Sequence, residues 1–261
     1  MSYDPTTRSH IAAVRTALAT IGKTFPKSVL DALKEHDLIV ERGREFAPVS
    51  EDQLAAAVAA AMLAGDDPCD DETVRHMLAS RTLGGNLSAG YGLSLEGPAM
   101  GRVVTALTAA ADDILDALAG PADEAGRDLT QASNLIGDQD DPAIIMRSGV
   151  PAVEAWTRAQ KARKIIATID AGWYALATLA GFDTSRNNPV LRITPASLDL
   201  IEKVGRRADA WAVVRAGGVI ALADREGISD RIDAIDTESQ GRVSKQSSDL
   251  IAAAGQPHRF K

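Results

Sequence analysis

The string Asp112-Asp113-Ile114-Leu115-Asp116 places three carboxylates within five residues. Carboxylate oxygens are hard ligands, so such a cluster turned into a cavity could hold magnesium against a phosphate group. Their direction can be read on a helical wheel. Val103, Leu107, Ala110, Ile114 and Leu118 recur at helical spacing over 99–119. With Val103 as zero and about 100° per residue, Leu107, Ile114 and Leu118 fall within roughly 60° of it. Asp112, Asp113 and Asp116 then fall at about 180°, 280° and 220°, opposite the apolar stripe. That placement predicts a solvated acidic face.

The same five residues resemble the aspartate-rich DDxxD motif of trans-prenyltransferases and terpene synthases. The resemblance implies an all-helical enzyme whose aspartates hold magnesium against a diphosphate leaving group. Its residue-by-residue carry-over is Asp112, Asp113 and Asp116. Such a site needs a second acidic motif and basic residues. "DQDD" (138–141) falls on an expected loop, and no arginine pair follows "DDILD".

A second group is Asp66, Asp67, Cys69, Asp70, Asp71, Glu72 and His76. Glu72 and His76 are four apart on an expected helix, a spacing able to ligate a transition metal. One cysteine and one histidine do not make the paired spacings of zinc sites. Acids before and within a first helical turn are expected from capping and the helix dipole. His10, His36, His76 and His258 are scattered, and no nucleophile-elbow motif occurs. The sequence therefore assigns no catalytic, cofactor or metal residue and no cofactor.

Cations gather in "RAQKARK", where Arg158, Lys161, Arg163 and Lys164 are candidate contacts for an anionic partner. The ordinary reading of such spacing is a solvated helix face. Arg206, Arg207 and the terminal "HRFK" are read the same way.

The stretch "RTLGGNLSAGYGLSLEGPAMGR" (81–102) holds six glycines. Tyr91-Gly92 stands where a phosphate loop needs Lys-Ser/Thr, and Leu95 where the dinucleotide motif needs glycine. Leu83, Leu87, Tyr91, Leu93 and Leu95 give it apolar content that a slack linker lacks. The expectation is an extended arm laid on another surface through those five side chains.

The elements around these groups are mostly helical. Ile11, Val14, Leu18 and Ile21 mark a first helix that Gly22 can end. A short helix at 27–36 follows, then a strand pair around Gly43 within 37–49. Ser50 and Gln53 read as a capping box opening an alanine-rich helix at 51–64. A further helix falls at about 71–80. Gly120-Pro121 is expected to stop the 99–119 helix, with a second at 122–136. Pro151 opens a long helix to about 180, with the seam Val153, Trp156, Ile166, Ile169, Trp173 and Leu176. Thr194-Pro195 reads as N-cap and first turn of a helix carrying Leu198, Ile201, Val204 and Trp211. Gly217-Gly218 either stops that helix or turns a hairpin. Two short helices and a basic end follow 228.

The fold class expected is mainly α: a multi-helix protein with a glycine-rich extended arm and one small β-hairpin. Its regions are an N-terminal helical part (1–80), the arm (81–101) and a helical pair (102–136). A linker (137–150) then leads to a C-terminal helical part (151–261).

Composition limits the function. With 261 residues, 45% hydrophobic and 25% charged, the chain is globular in type. A net charge of -8 and a pI near 5.1 argue against coating nucleic acid as a main task. The single cysteine excludes an internal disulfide framework and fits a reducing compartment. "MSYDPTTRSH" lacks the apolar run of a signal peptide, and "LAAAVAAAMLA" (54–64) is too short to span a bilayer. The expected protein is non-enzymatic and structural. Other protein subunits in a homo- or hetero-oligomeric assembly are its partners, without a membrane. A bacteriophage virion component, capsid-associated or neck, is the concrete form, made in the cytoplasm before entering the virion. A magnesium-dependent prenyl diphosphate enzyme and a regulatory module binding an acidic partner or nucleic acid through 158–164 are the alternatives.

Overall fold

The computed structural model describes residues 5–45, 49–84, 91–137, 139–182, 189–205 and 208–254. At 5, 43–45, 82–84, 91–96 and 246–254 the description is of backbone only. The chain begins with α1 (Pro5–Thr20), α2 (Lys27–Glu45), α3 (Glu51–Ala64), α4 (Glu72–Gly84) and α5 (Tyr91–Ala109). It continues with α6 (Ala111–Ile136), α7 (Pro142–Arg147), α8 (Val150–Ala180) and α9 (Pro189–Ile193). The last three are α10 (Leu198–Val204), α11 (Ala210–Arg215) and α12 (Arg225–Ala254). The described residues contain helices and no strand. None of these helices is long and apolar enough to cross a membrane.

Two compact units divide the chain: 1–9 with 26–110, and 10–25 with 111–261. In the first unit, α2 pairs with α5 and α3 with α4. Val29, Val103 and Leu107 are fully buried there. Ion pairs Arg102–Glu35 (3.2 Å) and Arg81–Glu51 (3.4 Å) link the members of each pair at the surface. α3 starts on the expected box: Ser50 Oγ accepts the Gln53 amide, and Gln53 Oε1 accepts the Ser50 amide. Gly65 closes it in the left-handed conformation at φ 84°. Where a strand pair is expected around Gly43, the chain is helical through Glu45, and 46–48 lie outside the described residues.

The second unit is built on α6 and α8, its most extensive pairing. Ile114, Leu118, Leu129, Ile166, Ile169, Trp173 and Leu176 fill the space between residues of these two helices and their neighbours. α1 approaches α8 at Gly172, where an added Cβ would collide with the Ala17 side chain. α11 packs on both central helices, α9 on α8, and α12 on α9 and α10. An extended stretch lies against α9, with the Ala221 and Ala223 amides donating to Ile193 and Arg192 carbonyls at 2.8 Å. Trp173 Nε1 holds the same stretch through the Ala223 carbonyl (2.7 Å). Gly126 makes room for it, since a Cβ there would sit 2.6 Å from Ile220 Cβ.

Several expected boundaries move. The helix expected over 99–119 is two, broken at Ala110 between α5 and α6. Its apolar stripe is buried on both sides of the break, so periodicity alone could not register it. Gly120-Pro121 does not stop α6, which continues to Ile136. A helix-interior proline costs about 3 kcal/mol. Burying a large aliphatic side chain returns about 1.5–3 kcal/mol, and Leu118, Leu129 and Ile136 all lie on the buried face. The burial wins.

In α8 the seam begins on alanines. Ala155, Ala159 and Ala162 are buried, Val153 is 36% exposed and Trp156 half-buried. Small side chains let the neighbours come close, so the large ones are turned aside. Thr194 is not an N-cap: its amide donates to Val190 as α9 ends, and Ser197 caps α10 by accepting the Leu200 amide. α10 and α11 are separate helices, and Gly217 (φ 92°) ends the second without a hairpin. The two short helices expected after 228 are one, α12, 30 residues long.

Candidate functional site

The four cations of α8 differ in exposure and pairing. Arg158 and Lys161 are exposed, whereas Arg163 is half-buried against Asp209, Nη2 to Oδ2 at 2.6 Å. The other Asp209 oxygen caps α11 by accepting the Ala212 amide (2.9 Å). Lys164 is exposed and forms no ion pair with a described residue. Arg163 and Lys164 line a recess of about 510 Å³ with Gln160, Ala167, Asp170, Pro189, Ile193 and 208–210. Asp170 is held by Arg192 through two hydrogen bonds, 2.5 Å to Nε and 2.7 Å to Nη2. Sequence spacing picked out these four cations, and the fold places Arg163 and Lys164 on the recess. Arg206, Arg207 and "HRFK" lie outside the described residues.

The acidic motif behaves as its wheel position predicts. Asp112, Asp113 and Asp116 are exposed while Ile114, Leu115 and Leu118 are buried. Asp112 alone lines a shallow depression with Arg225, Glu226, Ser229 and Asp230, away from Asp113 and Asp116. Of "DQDD", Asp141 caps α7 through the Ala143 amide (2.8 Å). Asp140 joins α11 to this stretch, accepting Trp211 Nε1 (2.8 Å) and Arg215 Nη1 (2.7 Å). The expected linker is thus tied into the second unit.

The cluster around Cys69 is used for local capping. Asp67 accepts the Cys69 amide and Asp71 the Val74 amide, both at 2.9 Å. Cys69, Glu72 and His76 are exposed, and among the described residues no three such side chains converge as metal ligands. Of the expected arm, 81–84 belong to α4 and 91–101 to α5, while 85–90 lie outside the described residues. Leu83, Tyr91, Leu93 and Leu95 are thereby on helices with backbone alone described, and Leu87 lies outside.

The surface carries a further feature, outside every motif of the sequence. In α3 only Ala61 is buried; Met62 is 64% and Leu63 89% exposed. A helix apolar on every side normally sits inside a protein or an assembly. A second apolar cluster, Ile144, Met146 and Val150, is exposed around α7 and the start of α8. The signal for α3 was present in "LAAAVAAAMLA", where no polar residue interrupts the helix circumference.

Glu238 and Arg231 are among the charged groups shifted by their surroundings. Glu238 accepts the Leu198 amide (3.0 Å), which together with Arg242 (2.7 Å) holds its carboxyl below the usual range. Burial draws the Arg231 guanidinium below its ordinary value, with Asp224 opposing. It donates to the Leu191 and Ala221 carbonyls, tying α12 to α9 and the extended stretch. Both shifts come from structural ties and stand apart from the recess. Compared with known protein families, curated proteins and solved structures, the chain matches none.

Proposed function

We propose that the protein is a non-enzymatic structural subunit of a multi-copy assembly, with α3 as a principal contact between copies. The observation that carries this reading is α3 itself. Fourteen residues rich in alanine and leucine bury only Ala61 within the chain, leaving Met62 and Leu63 in water. Covering two large apolar side chains at a subunit contact would contribute about 1.5–3 kcal/mol each. The cluster Ile144, Met146 and Val150 supplies a second surface of the same character. A bacteriophage virion component, capsid-associated or neck, is the concrete form of this proposal.

Native mass measurement of the full chain, and of any particle with which it co-purifies, tests the proposal. A mass several times the 27.4 kDa of one chain is expected. A monomer at every concentration, absent from any particle, would overturn it.

A further inference from the structure

The recess on α8 has walls of two kinds and charges that are unequally satisfied. Both Asp170 oxygens are taken by Arg192, and the Asp209 oxygens by Arg163 and the Ala212 amide. Its carboxylates are therefore spent. Lys164 faces the recess with no ion pair to a described residue, beside the amide of Gln160. Ile193, Pro189 and Ala167 make the rest of the lining apolar. An ammonium without a carboxylate beside an apolar wall matches an anion that carries an aliphatic body. The volume, about 510 Å³, lies within the range of small-molecule sites.

From this arrangement we infer that the recess is a binding site for a small organic anion. A phosphate or carboxylate head sits on Lys164, and a short aliphatic body lies on Ile193. The inference goes beyond the assembly reading and does not depend on it, because it is measured whether the chain is single or multiple.

The test is calorimetric titration of the full chain at fixed ionic strength with butyl phosphate, pentanoate and inorganic phosphate. At least one organic anion should saturate one site per chain. Butyl phosphate should bind at least about tenfold tighter than inorganic phosphate, because its methylenes are buried. Lys164→Gln should weaken binding about tenfold or more through loss of a charged hydrogen bond. Its melting temperature should be unchanged, since the ammonium makes no ion pair to lose. Lys161→Gln, exposed on the same helix, should leave binding as it was. No saturation by either organic anion would overturn the site. So would equal weakening by both lysine variants, or equal affinity for butyl phosphate and inorganic phosphate.

Discussion

Arg192 and Asp170 form a two-armed ion pair, Nε to Oδ1 at 2.5 Å and Nη2 to Oδ2 at 2.7 Å. The arginine side chain is only 9% exposed and also lies near the rings of Trp173 and Tyr174. A charge so enclosed depends on its partner. Asp170→Ala should destabilise the protein by about 3 kcal/mol, because an uncompensated guanidinium remains buried. Urea unfolding measures this, and a loss below about 1 kcal/mol would show that water reaches Arg192.

Thr194 presents the opposite case. It is fully buried, and its hydroxyl has no hydrogen-bond partner among the described residues. Thr194→Val replaces that hydroxyl with a methyl of similar shape. The variant should be more stable by about 1 kcal/mol, seen as a higher denaturant midpoint with an unchanged slope. A less stable variant would reveal a hydrogen bond to this oxygen.

Glycines in two long helices should respond with opposite signs. An added Cβ at Gly172 collides with Ala17, so Gly172→Ala should cost about 1–3 kcal/mol by overpacking. Gly241 in α12 has nothing within 4 Å of such an atom. Gly241→Ala should therefore gain about 0.5–1 kcal/mol from helix propensity alone. Thermal unfolding of the two variants side by side separates packing from propensity.

Acid should loosen the join between α10 and α12. Glu238 titrates below the usual carboxylate range, chiefly because it accepts the Leu198 amide and then because it pairs with Arg242. A lowered folded-state pKa means the contribution is present above the unfolded value, about 4.3. It is lost as pH falls through the lower folded value. Arg242 also reaches Asp199 (2.7 Å) and Glu202 (3.2 Å). Hydrogen exchange at the Leu198 amide should accelerate, relative to a reference peptide, across that interval. Glu238→Gln should weaken the pH dependence, and an unchanged profile in that variant would assign it to other carboxylates.

The assembly reading gives a separable effect on association. Leu63 is 89% exposed, so Leu63→Glu should change unfolding free energy by no more than about 0.5 kcal/mol. Self-association should weaken at least about tenfold, or 1.4 kcal/mol, from placing a carboxylate in an apolar contact. Sedimentation measures the second quantity, and unchanged association would remove α3 from the contact.

Local signals in the sequence were sufficient wherever a feature depended on neighbours along the chain. The Ser50–Gln53 box, the positive-φ glycine at 22 and the proline-led start of α8 are all set by backbone groups within one turn. The outward turn of Asp112, Asp113 and Asp116 follows from a period, and a period is local.

Features that depend on distant partners were beyond that reach. Pro121 reads as a stop until the buried face of α6 is set against its neighbours. Trp156 reads as core until Ala155 and Ala159 take the buried positions. Lys164 looks like its three neighbouring cations until Arg163 is paired with Asp209, 46 residues away. The sequence by itself determined a mostly helical, acidic chain, its caps and the solvent side of its aspartates, because these follow from backbone hydrogen bonding and a fixed helical period. The tertiary structure alone decided which proline is tolerated, which arginine is buried and which lysine makes no ion pair among the described residues. Those outcomes are differences between burial, desolvation and pairing energies, and each requires a partner that folding brings from far along the chain.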